Sequence, residues 1–249
     1  MRLINTSSFK LRSFDGNDVP PPYAILSHTW GPDEISFEQR DRLLRSKDPG
    51  FVISSKGAMK IALFCETAKA AGFQWAWADT CSIDKSSSAE LSEAINSMYE
   101  WYEQAVVCYV YLEDFSGSRN TLSIEGSRCR WFGRGWTLQE LVASANVVFY
   151  NSNWQDIGTK RSLAPILSDI TGIDRSLLLG DKALTDYSVA QTMRWASGWQ
   201  TTRIEDRAYS LLGMFGINMP LLYGEDARAF LRLQEEILRH NTDMSILAW

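Results

Sequence analysis

The sequence predicts an α/β fold: a mainly parallel sheet flanked by helices, with a helical annex toward the C-terminal end. Three observations carry this. Short apolar runs recur at residues 23–28, 74–78, 106–112 and 145–150, with helix-patterned segments between them. The third run, VVCYVYL, is nearly uniformly apolar, as a strand covered on both faces must be. Beyond about residue 151 strand signals fade and helical patterns dominate.

Pro20-Pro21-Pro22 leads into the first run, YAILSH, and Trp30-Gly31-Pro32 closes it. A short helix is expected over residues 37–44, then a loop to residue 57. Residues 58–71 place Ile61, Cys65 and Ala68 at helical spacing and stop at Gly72. The second strand runs into the polar turn DTCSIDKSSS. Ser88 is expected to cap the next helix, with Leu91, Ile95, Met98 and Tyr102 on one face. After the third strand come a polar loop over 113–127 and a helix opening near Gly135. Strands separated by helices imply right-handed crossovers and a parallel sheet, here of flavodoxin-like order 2-1-3-4.

The annex reads as helices over 163–170, 189–197, 204–215 and 227–240. The last carries Ala227, Phe230, Leu231, Ile237 and Leu238 on one stripe, and the apolar end DMSILAW is expected to dock on the annex. No internal repeat and no hard boundary is evident. Residues 1–249 therefore read as one domain, an α/β core over 1–150 with a mainly helical extension over 151–249 packed on it.

Composition narrows the function. The 249 residues carry 25 Lys+Arg against 30 Asp+Glu, a net charge of −5, which disfavours nucleic-acid binding through bulk charge. No apolar run approaches the ~18–20 residues of a membrane span, and the start MRLINTSSFK lacks a signal-peptide core, so a cytoplasmic protein is expected. Cys65, Cys81, Cys108 and Cys129 sit among apolar neighbours with no C-x-x-C, as reduced structural thiols do. With only His28 and His240 as imidazoles, no metal site is expected. Ten tryptophans are unusual, and most should fill the core.

In open parallel sheets ligands bind beyond the carboxyl ends of the strands. Three polar clusters fall there: Ser27-His28-Thr29-Trp30-Gly31; Asp79-Thr80-Cys81-Ser82-Ile83-Asp84-Lys85; and Arg128, Arg130, Trp131, Arg134, Gly135 and Trp136 followed by Glu140. If a helix opens at Gly135, Glu140 lies one turn inside and near Trp136. It either belongs to a site or complements the helix dipole. Arg134, just before that helix, suits an anion such as phosphate, or forms a surface ion pair. Ser27 and His28 are adjacent in a strand, point to opposite faces and cannot form a Ser–His pair. A Cys81–His28 pair is geometrically possible but has no protease-like surroundings, and no phosphate-binding glycine loop is present.

YAILSHTWG (23–31), WADTCSIDK (77–85), ELSEAINSMYEWY (90–102), RGWTLQEL (134–141) and TTRIEDRAYSLLGMFGINMPLLYGE (201–225) closely resemble the blocks of the fungal heterokaryon incompatibility (HET) domain. Ala78 and Ser82 depart from the usual Ile and second Cys, which argues against a paired-cysteine function. The resemblance implies a cell-death effector of non-self recognition and innate immunity. It also implies that the chain is the N-terminal module of a longer, NLR-like protein. HET domains are also distantly similar to TIR domains, whose W-C-x-x-E-L motif follows the third strand. Trp136-Thr137-Leu138-Gln139-Glu140-Leu141 matches it, with Thr137 in place of Cys.

By that analogy Glu140 is the candidate catalytic carboxylate of an NAD+ glycohydrolase, and NAD+ is a substrate, with no cofactor. Nicotinamide leaves as a neutral group, so one carboxylate that stabilises an oxocarbenium-like ribose suffices. Trp30 or Trp136 could stack on a ring and Arg134 could meet the pyrophosphate. Ser27, His28, Asp79 and Asp84 are candidate pocket groups, or else braces of the strand-end loops. Glu140 is expected as a solvent-accessible residue near a rim made by 27–31 and 79–85. Oligomerisation through the domain is expected to switch on activity. The other reading is a non-enzymatic, self-associating adaptor.

Overall fold

Six consecutive buried residues make β3 (Tyr23–His28), the middle of the sheet, and they explain its surroundings. A strand buried on both faces needs neighbours on both edges and helices above and below. The structure, a computed structural model, describes residues 1–15, 18–39 and 55–248. The other described strands are β1 (Arg2–Asn5), β2 (Leu11–Ser13), β4 (Trp75–Trp77), β5 (Val107–Tyr111), β6 (Val147–Tyr150) and β7 (Asp156–Thr159). Their order is β2-β1-β4-β3-β5-β6-β7. The four central strands are parallel, with Ile25 opposite Trp77 on one side and Cys108 on the other. This is the 2-1-3-4 order expected by analogy with flavodoxin-like folds.

Both flanks are additions to that expectation. An N-terminal hairpin of β1 and β2 pairs antiparallel to β4, and β7 pairs antiparallel to β6. Strands of three or four residues on a sheet edge carry too little alternation to stand out in sequence.

Alternation along β3 divides the core. Ala24 and Leu26 face α1 (Lys56–Ala70) and pack with Ile61, Phe64, Cys65 and Ala68. Tyr23 and Ile25 face the opposite layer, which includes α3 (Ser88–Gln104) and, across the four-residue α2 (Asp79–Ser82), the strand-end loop after β4. In α3 the residues Ala94, Ile95, Met98 and Tyr102 are buried. Its cap is Ser87 rather than Ser88, because the Ser87 hydroxyl accepts from the Glu90 N–H at 3.3 Å.

The expected loop over 113–127 contains α4 (Arg119–Glu125), whose Leu122 is its buried anchor. One turn, α5 (Arg130–Gly133), then leads into α6 (Gly135–Ala143). The annex consists of α7 (Lys160–Thr171), α8 (Arg175–Leu179), α9 (Val189–Ala196), α10 (Asp206–Tyr209) and α11 (Arg228–His240). Reciprocal caps open α7 (Thr159 with Ser162) and α9 (Ser188 with Gln191).

Two annex expectations need correction. The helix over 204–215 is broken into α10 and a 3-10 turn at Gly213–Phe215. Gly213 lies against Tyr99, where a Cβ would come within 2.0 Å of the Tyr99 Cβ, so close packing rather than helix continuity sets the backbone. On α11 the buried line is Ala229, Leu233 and Ile237, at spacing of four, while Leu231 and Leu238 are exposed. The C-terminal run does dock: Ile246 is buried, Asp243 accepts from Val189 N at 2.7 Å, and Ser245 accepts from Ala190 N at 3.0 Å. The helix expected at 37–44 falls mostly on residues outside those described, and residues 37–39 form a turn.

Candidate active site

Helix α6 carries Glu140, and its start is pinned by the annex. Gly135 N donates to Gln200 O at 2.7 Å and Gln200 N to Gly133 O at 2.6 Å. This close approach needs glycine, since a Cβ on Gly135 would stand 2.5 Å from Thr201 Cγ2. The Thr137 hydroxyl donates back to Trp131 O at 2.5 Å and holds the first turn. Glu140 lies in the second turn, too deep to complement the dipole, and faces the sheet.

There the Ser27 hydroxyl donates to Glu140 Oε2 and accepts from Trp131 Nε1 at 2.8 Å. Glu140 is 6 % exposed, which corrects the expectation of a solvent-accessible side chain. Ser27 lies on the α3 and α6 side of β3, so its partner must be buried there. Burial pushes the Glu140 carboxyl up to about 8, and the Asp79 charge adds to the rise. Ser27, Arg134 and Tyr102 oppose it.

His28, one residue on, faces the other layer. Its Nε2 meets Asp79 Oδ1 at 3.0 Å. Asp79 Oδ2 accepts from the Trp30 indole N–H at 2.8 Å and lies 3.9 Å from Lys85 Nζ. Trp30, 40 % exposed, has the Lys85 ammonium 3.3 Å from its ring centroid and the Arg134 guanidinium at 5.2 Å. Burial alone would raise the Asp79 carboxyl. The His28 hydrogen bond and the charges of Lys85, His28 and Arg134 outweigh it and hold the group well below the usual carboxylate range.

Ser27, His28, Trp30, Asp79, Arg134 and Glu140 thus form one connected neighbourhood. Asp84 stands apart: it accepts from Ser86 N at 2.9 Å and Ser86 Oγ at 2.6 Å, bracing its own turn. Trp136 turns toward the annex and donates to Asp206 Oδ2 at 3.3 Å. A cleft of about 320 Å³ opens beside this neighbourhood, lined by Trp30, Arg134, Trp136 and Asp206 among others, and Glu140 does not line it.

Sequence reasoning placed Lys85 in the second strand-end cluster without a role and gave Asp206 none either. Lys85 ends the block WADTCSIDK and Asp206 lies in the block 201–225, but neither block marks its acid or base as a site group, and Asp206 enters through the packing of α10 on α6. Cys81 has Thr80, not His28, as its neighbour at 3.7 Å, and burial pushes its thiol up to about 12, so it is not an activated nucleophile. All four cysteines are buried and unpaired. Among the described residues no group of His, Cys, Asp and Glu converges to hold a metal, and no helix is long and apolar enough to cross a membrane.

Residues 23–128 match the model of the heterokaryon incompatibility protein (HET) family. The chain is 46 % identical over 224 residues to vegetative incompatibility protein HET-E-1 of Podospora anserina, covering 87 % of this chain and 16 % of that protein. The chain therefore spans about a sixth of the length of this relative. No solved structure matches it. The blocks 23–31, 77–85 and 134–141 that resemble the family carry Ser27, Asp79 and Glu140, and the chain carries a heterokaryon incompatibility (HET) domain.

Proposed function

We propose that this domain is a cell-death effector of vegetative incompatibility that hydrolyses NAD+ when an attached or separate NLR-type sensor clusters several copies in the cytoplasm. The incompatibility role rests on the family match and the HET-E-1 relative. The enzymatic part rests above all on Glu140, a carboxyl shielded from water beside a cleft that offers a cation and flat aromatic walls.

In the reaction the C1′–N bond breaks and its electron pair leaves with nicotinamide, which becomes neutral. Water then bonds to C1′ and releases a proton. A carboxylate near C1′ stabilises the oxocarbenium-like state between these events. Glu140 is mostly protonated at neutral pH. A cationic nicotinamide riboside beside it favours the ionised form, so binding itself prepares the charge. Trp136 offers a face for a ring, and Arg134, which makes no ion pair among the described residues, suits the diphosphate. Glu140 is buried, so substrate reaches it only after the strand-end loops move, a motion that contact with a neighbouring copy would drive.

One observation favours a second reading, a non-enzymatic adaptor: Glu140 is buried and does not line the cleft beside Trp30. An NAD+ consumption assay on protein fused to an oligomerising tag separates the two. Glu140→Gln imitates the protonated acid, so it should fold, yet lose ~10²–10³ in rate. Clustered wild type that kills cells but leaves NAD+ intact would establish the adaptor reading instead.

A further inference from the structure

The cleft beside Trp30 is not made by the strand ends alone. Its far wall is Gln200, Thr201, Thr202 and Asp206, which lie beyond the matched residues 23–128. On the near wall Thr29 is 3 % exposed and its hydroxyl has no partner.

Asp206 is held from behind. Tyr223 OH donates to its Oδ1 at 2.9 Å and Trp136 Nε1 to its Oδ2 at 3.3 Å. A carboxylate has about four acceptor positions, so about two remain for the cleft. Burial raises its carboxyl above the ordinary value, the mark of a group kept partly from water. Glu140 and Asp79 feel the Arg134 charge, Arg134 lines the same cleft as Asp206, and the Arg203 charge acts on Asp206 itself. If the ribose that reacts lies over Glu140 and the diphosphate on Arg134, the other ribose reaches Asp206.

We propose that Asp206 is the specificity-determining residue of this cleft, accepting hydrogen bonds from the adenosine 2′- and 3′-hydroxyls of NAD+ and rejecting the 2′-phosphate of NADP+. The assignment rests on the NAD+-cleaving reading. A 2′-phosphate would set roughly −1.5 to −2 charges against a half-buried carboxylate whose hydrogen-bonding partner it has also replaced.

The test measures initial rates with NAD+ and with NADP+ on the clustered domain, for wild type, Asp206→Asn and Asp206→Glu. Wild type should favour NAD+ by about tenfold or more in kcat/KM. Asp206→Asn should bring the ratio to within about threefold of unity, with the loss in KM more than in kcat. Asp206→Glu, which keeps the charge, should restore a preference for NAD+. Wild type that consumes NADP+ as readily as NAD+ overturns the assignment even if no variant folds. A folded Asp206→Asn with the wild-type ratio overturns it too, and in both cases the NAD+-cleaving reading survives. If wild type consumes neither dinucleotide and Glu140→Gln binds neither by calorimetry, that reading and this assignment fall together.

Discussion

Two adjacent residues of β3 enter different environments. Ser27 meets Glu140 and Trp131 in the layer under α3 and α6, and His28 meets Asp79 on the opposite side. The consequence for Glu140 can be measured through pH. Its carboxyl titrates near 8 in the folded protein, against an ordinary 4.5. Between those values the folded chain keeps a proton that the unfolded chain has released. Stability from this group therefore falls as pH rises from about 4.5 through about 8. Urea unfolding across that window should show a decline in wild type that is flatter in Glu140→Gln, and equal slopes would contradict it. Activity runs the other way. If the carboxylate is the working form, as the NAD+-cleaving proposal has it, kcat/KM of the clustered domain should climb toward pH 8.

At the scale of elements, α6 is clamped at both ends by groups distant in sequence. Gln200 and Thr201 hold its start, and Lys160, from the first turn of α7, donates from its buried ammonium to Leu141 O at 3.0 Å and Ser144 O at 2.5 Å. Those carbonyls end a helix and have no other backbone partner to take. Burial lowers the Lys160 ammonium to about 8, with Cys108 opposing, which is the cost of placing a cation there. Lys160→Met keeps the bulk and strands both carbonyls. It should cost ~2–4 kcal/mol in chemical denaturation. It should also loosen Glu140, seen as faster amide exchange along residues 135–143. A variant as stable as wild type would show that water caps the helix equally well.

For the whole molecule, one apolar cluster runs from Leu3 through Ile25, Phe149 and Leu167 to Ile246, so sheet and annex share a core. A motion that uncovers Glu140 without breaking that core would fall on the strand-end loops, where Trp30 is 40 % exposed. Hence activity should depend on assembly. At equal total protein, NAD+ turnover per chain should rise when copies are joined by an oligomerising tag. It should also rise more than linearly with concentration in the untagged domain. Turnover strictly proportional to concentration would show that a single copy opens unaided.

The apolar runs by themselves determined the central strands, because a two-face-buried strand needs an unbroken apolar run, and the helices between them set the parallel sense. The order is expected only by analogy with flavodoxin-like folds. The runs also determined the placement of Ser27 and His28 on opposite faces, since strand alternation is local. The opening of α6 at Gly135 was equally legible. Tertiary structure alone decided the edge strands β1, β2 and β7, too short to show a period, and the break after α10, set by the contact of Gly213 with Tyr99. It also decided the burial of Glu140, whose partner Ser27 lies 113 residues away, and the approach of Asp206 to Trp136 across 70. Burial, and with it the ionisation of a carboxyl, comes from what packs over a side chain. That covering is made by segments brought together only when the chain folds.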